Sequence, residues 1–287
     1  ISKPGTILGP LKPELNKDRD FDTTKVALTA THDTASAVAS IPYNKQNTTV
    51  FISSGTWSLV GIQTDTPIIN DQSLKLGFTN EIGFDGNIRF LKNVTGMWLI
   101  QECLATWHSQ GFNYSIENIV VSAQTAPKSQ SVLDPDNIDF QTHGNMPEKI
   151  NQYLNLTNQK LPNTNSELIR IILKSIAFKY KFIIDNLSYI LDHTIENIRV
   201  VGGGANNSLL NQMCADVTGL EVITGPIEAT AAGNILGQLI AVDILPSLEA
   251  GHEIIQKSFK TRYYHPMKLD PIEFNYPHFM DILSQTR

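Results

Sequence analysis

The run from Ile198 to Asp216 constrains this chain more than any other part of it. Ile198-Arg-Val-Val201 has the length and β-branching of a buried strand, and it runs straight into Gly202-Gly-Gly204. Asn207-Ser-Leu-Leu-Asn-Gln-Met-Cys-Ala-Asp216 follows with the character of a helix. A strand that ends in glycines and passes into a helix points to a mixed α/β architecture. It also lets a ligand approach bare backbone, beside the free N–H groups of a helix N-terminus. A tight strand-to-helix turn with no ligand accounts for the same residues. The run is neither Gly-x-Gly-x-x-Gly nor a phosphate loop of the Gly-Lys-Ser/Thr kind.

The rest of the chain extends this pattern. Thr49–Ser53 and Thr56–Gly61 read as two strands of a hairpin joined through Ser54-Gly55. Leu76–Thr79 and Ile88–Leu91 read as further strands, and apolar residues near helical spacing suggest a helix from Asn93 to about Trp107. Ser166 can cap a long helix with Leu168, Ile172, Ile176, Ile183 and Leu187 along one face, and Lys174, Lys181 and Asp185 between them. Leu220–Thr224 reads as a strand and Ala229 to about Ala241 as a small-residue helix. Residues 1–23 are expected to be mostly loop, and 111–165 loops with a short helix or two. Lys25–Ala30 is a short strand candidate leading into Thr31-His32-Asp33 and a helix over 34–39. Tyr43–Thr48 is a polar connection and a plausible domain boundary.

Composition narrows the class. The 287 residues are 41% hydrophobic and 17% charged, enough for a full core, and length alone suggests about two domains. The net charge of −6 argues against a broad grip on nucleic acid. No apolar run reaches the length of a membrane span, and no signal peptide is visible, so a cytoplasmic protein is expected. The two cysteines, Cys103 and Cys214, make neither a disulfide framework nor a zinc cluster. The chain does not begin with Met, and a fragment is one explanation.

Several residues could carry chemistry, each with a plain alternative. Ser53-Ser-Gly-Thr56 could cradle a phosphate with amides and hydroxyls, or be an ordinary turn. Asp33 could be a general base, or the N-cap of the helix that follows it. Asn93 and Gln101, eight apart on the expected helix, share a face that looks either into a cleft or into solvent. Trp57, Trp98 and Trp107 read as core residues.

Taken in order, these pieces resemble the FGGY family of carbohydrate kinases. The resemblance is carried by Ala30–Val38, Ser53-Ser-Gly-Thr-Trp-Ser-Leu59, Thr79-Asn-Glu81, Leu91-Lys-Asn93 with Gly96, and Trp98–Gln101. It continues through Val200–Gly204, Leu209–Gln212 and Gly225-Pro-Ile-Glu-Ala229. It covers about residues 24–245, and is weak over 111–165 and in the tail. It implies the actin-like (RNase H-like) ATPase fold of a two-domain sugar kinase, with sugar and ATP meeting in the cleft between domains. Residues 1–45 would be the final segment of the first, sugar-binding domain, and 46–287 the second, nucleotide-binding domain. About 200 further residues would precede Ile1, judging from usual domain sizes. That missing N-terminal half would be the main partner, and without it the chain is expected to be inactive.

The resemblance also implies roles. Asp33 matches the catalytic base, His32 and Thr34 match sugar contacts, and Asn93 a substrate contact. Thr56 matches a phosphate contact, Gln101 a nucleotide contact, and Gly203 the glycine beside the adenine. The implied reaction is ATP- and Mg²⁺-dependent phosphorylation of a ketose. L-rhamnulose comes first, with L-fuculose or a pentulose as alternatives. A non-catalytic actin-like module that binds nucleotide or sugar without turnover is a further alternative, to which the acidic Asp33 is unsuited. Cys214 matches a cysteine of some relatives, but Val217 and Thr218 stand where their second cysteine would be, so no redox role is implied.

Overall fold

A computed structural model describes residues 2–17, 21–42 and 49–285. The polar connection at 43–48, and with it the division after residue 45, lies outside the described residues.

In chain order the strands are β1 (Thr6–Pro10), β2 (Lys25–Leu28), β3 (Thr49–Ser54), β4 (Trp57–Thr64), β5 (Thr79–Ile82), β6 (Ile88–Thr95), β7 (Asn197–Val201), β8 (Glu221–Thr224) and β9 (Tyr263–Tyr264). The helices are α1 (Asp33–Ala39), α2 (Asp71–Leu76), α3 (Trp98–Ser109), α4 (Ile116–Gln124), α5 (Met146–Leu156), α6 (Asn165–Leu191), α7 (Ser208–Thr218), α8 (Ala229–Ala241), α9 (Leu248–Ser258) and α10 (Tyr276–Gln285). Seven strands form one sheet in the order β5-β6-β4-β3-β7-β8-β9. One half is an antiparallel meander, while β3, β7 and β8 run parallel.

Helices cover both faces of the sheet, and strand alternation sorts side chains between them. Val50, Ile52, Val60, Ile62, Phe90, Val94, Ile198 and Val200 point into the larger core with α3 to α7. Phe51, Leu91 and Val201 point the other way, against Ala37 and Val38 of α1 and Ala229 of α8. Helix α1 is nearly all buried, and its contact with α8 is close. A side chain at Gly233 would stand 1.8 Å from the Ser36 carbonyl oxygen, so only glycine fits that crossing. His252 adds a ring nitrogen 2.9 Å from the Ala39 carbonyl.

Helix α6 is the spine of the larger core, with Ile172, Ile176, Ile183 and Leu187 buried as its spacing predicts. Its cap is Thr164, whose side chain accepts from Glu167 N, and Ser166 lies inside the helix. Lys181 and Asp185 pair at the surface at 3.0 Å, but Lys174 is buried and donates to the Ser129 carbonyl. The long segments on either side of α6 fold over it, which puts polar positions inside. Arg170 grips Glu273 through two nitrogens, at 2.5 and 2.9 Å, and Lys179 meets Asp134 at 2.6 Å.

Four further expectations are corrected. Residues 6–10 form β1, which pairs antiparallel with β2 through a bulge, so strand pairing overrides the local Gly and Pro signals. Leu76 ends a helix, because Asn70 and Ser73 make a reciprocal capping box and Gly77 turns left-handed at φ 70. The strand begins only at Thr79. Asn93 sits on β6, not on a helix, and α3 starts at Trp98 after Gly96, so Asn93 and Gln101 share no helix face. Trp107 is buried and Trp98 partly so, but Trp57 is 46% exposed. Among the described residues no helix is long and apolar enough to cross a membrane.

Candidate functional site

The parallel strands β3 and β7 end side by side, and an open cleft of about 640 Å³ lies beyond their carboxyl ends. In open α/β sheets this is where ligands bind. The floor is the β3–β4 turn. Gly55 N donates to the Trp57 carbonyl at 2.9 Å, and the turn is stitched to the start of α3 by Met97 N to Gly55 O and Trp98 N to Thr56 O, both 3.1 Å. A side chain at Gly96 would stand 2.6 Å from Ser58 Oγ and 2.9 Å from Gly55 O, so the stitch requires glycine there.

The triple glycine forms the neighbouring wall. Gly202 has φ 83, and a side chain on it would stand 2.9 Å from Ser54 O. One on Gly204 would collide with Ser54 Oγ at 2.0 Å. Gly203 differs: nothing lies within 4 Å of where its side chain would be, and it lines the cleft. Helix α7 then starts under an Asn207 cap that accepts from Leu210 N at 3.0 Å.

Opposite stands the start of α1. The N-cap is His32, whose Nδ1 accepts from Thr34 N at 3.2 Å. Asp33 is the first helical residue and not the cap. Its Oδ1 lies 2.6 Å from Thr34 N and 3.1 Å from His32 Nδ1, and its side chain is 75% exposed to the cleft. Thr230 of α8 fastens this corner by donating to the Asp33 carbonyl at 3.3 Å.

The cleft thus brings together His32, Asp33, Thr34, Thr56, Asn93 and Gly203. Gln101 is absent from its wall. It lies on the first turn of α3, the helix whose Trp98 N donates to Thr56 O. The wall also holds residues to which sequence reasoning attached no role. Trp57, read as core, lines the cleft, as do Glu81, Ile227 and Thr230. Glu81 had one signal, its place in Thr79-Asn-Glu81. Behind it, Arg89 on β6 is buried, with Nη2 2.9 Å from Glu81 Oε2. Burial pulls the Arg89 pKa down, and the charges of Glu81 and Asp33 hold it up. Among the described residues no cluster of three or more His, Cys, Asp or Glu side chains could hold a metal. Cys103 and Cys214 are both free and buried. Burial pushes both thiols up, Cys214 to about 12, which leaves them unreactive.

Comparison with known proteins decides the family. Residues 50–242 match the C-terminal domain of the FGGY family of carbohydrate kinases. The chain belongs to that family. Among curated FGGY relatives it is 35% identical to a rhamnulokinase of Bacteroides thetaiotaomicron, over 96% of this chain and 56% of that protein. It is 38% identical to one of Bacillus subtilis, over 94% of this chain and 55% of that protein. The chain therefore spans little more than half the length of these relatives. A Plasmodium falciparum glycerol kinase with ADP matches all of the chain and 56% of its own, with a TM-score of 0.69 at 14% identity. A Lactobacillus acidophilus xylulose kinase matches with a TM-score of 0.66 at 16% identity, again over all of this chain and 55% of its own. The fold is the actin-like ATPase fold of the FGGY sugar kinases.

Proposed function

We propose that this chain is the C-terminal portion of an ATP-dependent ketose kinase that converts L-rhamnulose to L-rhamnulose 1-phosphate. Residues 1–45 would close its sugar-binding domain and 46–287 form its nucleotide-binding domain. The observation that carries the reading is that one cleft is lined by an exposed carboxylate, Asp33, facing a glycine-walled pocket at the ends of β3 and β7. A pure binding module has no need of such a carboxylate. The choice of sugar rests on the rhamnulokinase relatives.

In this reading the ketose lies between His32, Thr34 and Asn93, with one hydroxyl against Asp33. As that oxygen attacks the γ-phosphorus, its proton passes to the Asp33 carboxylate and the bond to the ADP oxygen breaks. The Gly55–Thr56 turn holds the phosphates through an amide and a hydroxyl. Gly203 leaves room for the adenine, and Gln101 would contact the nucleotide from the first turn of α3. Mg²⁺ supplies charge neutralisation on the phosphates. It is commonly held by one or two carboxylates plus phosphates and water.

Positioning of the two reactants requires both walls of the cleft, and proximity can account for about 7–11 kcal/mol of a barrier. The N-terminal half of the relatives would supply the other wall. The test is a coupled assay of the full-length protein with ATP and Mg²⁺ against L-rhamnulose, L-fuculose and the pentuloses. Preference for L-rhamnulose is expected, and a preference for another ketose would overturn the choice of sugar. Residues 1–287 expressed alone should show no ketose-dependent ADP release. Turnover of about 1–100 s⁻¹, usual for kinases, would refute the two-walled cleft.

A further inference from the structure

Glu81 and Arg89 face each other across the antiparallel pair β5–β6. Arg89 is among the most completely buried charged residues, with its side chain only 3% exposed, yet its Nε and Nη1 have no hydrogen-bond partner among the described residues. Nη2 is the nitrogen that meets Glu81 Oε2, at 2.9 Å. A buried guanidinium with unpaired donors is costly to maintain. Its clearest return is the placement of Glu81, whose carboxylate the ion pair fixes in direction.

Glu81 is itself 30% exposed and lines the same cleft as Asp33 and Asn93. Oε2 is committed to Arg89. Among the described residues Oε1 has only the Thr79 hydroxyl, at a long 3.4 Å, and so keeps accepting capacity. An ionised carboxylate accepts hydrogen bonds and donates none. It repels a triphosphate and attracts hydroxyl donors. The pairing Leu59↔Asn93 lies four residue pairs along β4–β6 from Gln63↔Arg89, an even number, so Asn93 and the Arg89–Glu81 pair stand on one face of the sheet.

Building on the ketose-kinase reading, we propose that Glu81 is a specificity-determining residue whose Oε1 accepts a hydrogen bond from a ketose hydroxyl, and that Arg89 is the positioning residue that aims it. The long-range attraction between Arg89 and Asp33 is consistent with one charge network under the sugar end of the cleft.

The test uses the full-length protein. Wild type is first assayed with the ketose panel, and the variants are compared on the ketose it phosphorylates best. Glu81→Gln should raise the ketose KM roughly 10- to 100-fold, the loss usual for a hydrogen bond to a charged group. The ATP KM should be unchanged and kcat within a few-fold. Glu81→Asp keeps the charge beside Arg89 but withdraws the oxygen, and should also raise the ketose KM. Arg89→Met should reproduce the ketose effect and Arg89→Lys should rescue part of it. A role confined to stability would not split the two KM values. An unchanged ketose KM in Glu81→Gln or Glu81→Asp, or equal rises in the ketose and ATP KM values, would overturn the proposal. If wild type phosphorylates no ketose, the kinase reading fails by itself. Calorimetric binding of L-rhamnulose to wild type and Glu81→Asp then decides the Glu81 proposal separately, and equal affinity or no binding would overturn it.

Discussion

The hydroxyl of Tyr180, on the buried spine α6, lies 2.6 Å from the hydroxyl of Ser58 on β4. Ser58 pairs with Ser54 at the closed end of the β3–β4 hairpin, so this one bond ties the centre of the core to the floor of the cleft. Burial pushes the Tyr180 hydroxyl up to about 12, so it stays protonated wherever the protein is folded near neutrality. Tyr180→Phe strands a buried Ser58 hydroxyl, at a cost of about 1–3 kcal/mol. A fall in Tm of about 2–4 °C for each kcal/mol is expected in a thermal melt. A melt matching wild type would mean that the bond contributes nothing net.

Asp33 follows the cap instead of being it, which sharpens what its removal should do. In Asp33→Asn the side-chain oxygen can still accept from Thr34 N, and the His32 cap is untouched. The full-length enzyme should lose about 10²–10⁴ in kcat. Its melt should move within the ±0.5 kcal/mol or so typical of surface changes. Kinetics and a melt on one preparation separate the two roles, and retained turnover would remove Asp33 as the base.

Gly203 is the one member of its triplet that has empty space where a side chain would be. Gly203→Val should therefore fold, whereas Gly204→Val should not, because Ser54 blocks it. In the full-length protein Gly203→Val should raise the ATP KM and leave the ketose KM near its original value. Parallel rises in both would show that this glycine is not on the nucleotide side.

Lys174 offers a pH test of the core. Burial lowers its pKa from 10.5 to about 8, with Glu273 opposing and Arg170 adding to the fall. A depressed folded-state pKa means that the unfolded chain binds the proton more tightly between pH 8 and 10.5. This group therefore disfavours the fold in full below pH 8, and the penalty is relieved as pH rises towards 10.5. Lys174→Met should be neutral or stabilising at pH 7, and its advantage over wild type should shrink by pH 9.5. Urea melts of both proteins at the two pH values measure this. An advantage that grows with pH would contradict the depressed pKa.

Local chemistry made most elements of this protein readable from its sequence. Strand and helix signals lie within a few residues, so β3, β4, β7, β8, the apolar face of α6, and α8 follow from local residue type, length and spacing. The glycines at 202–204 were legible for the same reason, since their neighbours in sequence already fix where the turn must fall. Where two signals overlapped, the reading slipped. Val94 is buried in the core as it would be on a strand or on a helix, so periodicity could not tell that Asn93 belongs to β6. The composition of the cleft wall was decided by tertiary structure. Glu81 meets Arg89 because β5 and β6 pair in one register, and a shift of a single residue would turn Glu81 to the other face. Asp33 is fastened to Thr230 across 197 residues of chain, and Lys174 is buried because segments far from it in sequence fold over α6. Such contacts depend on which surfaces remain uncovered once the sheet has formed, a property that no window of neighbouring residues contains.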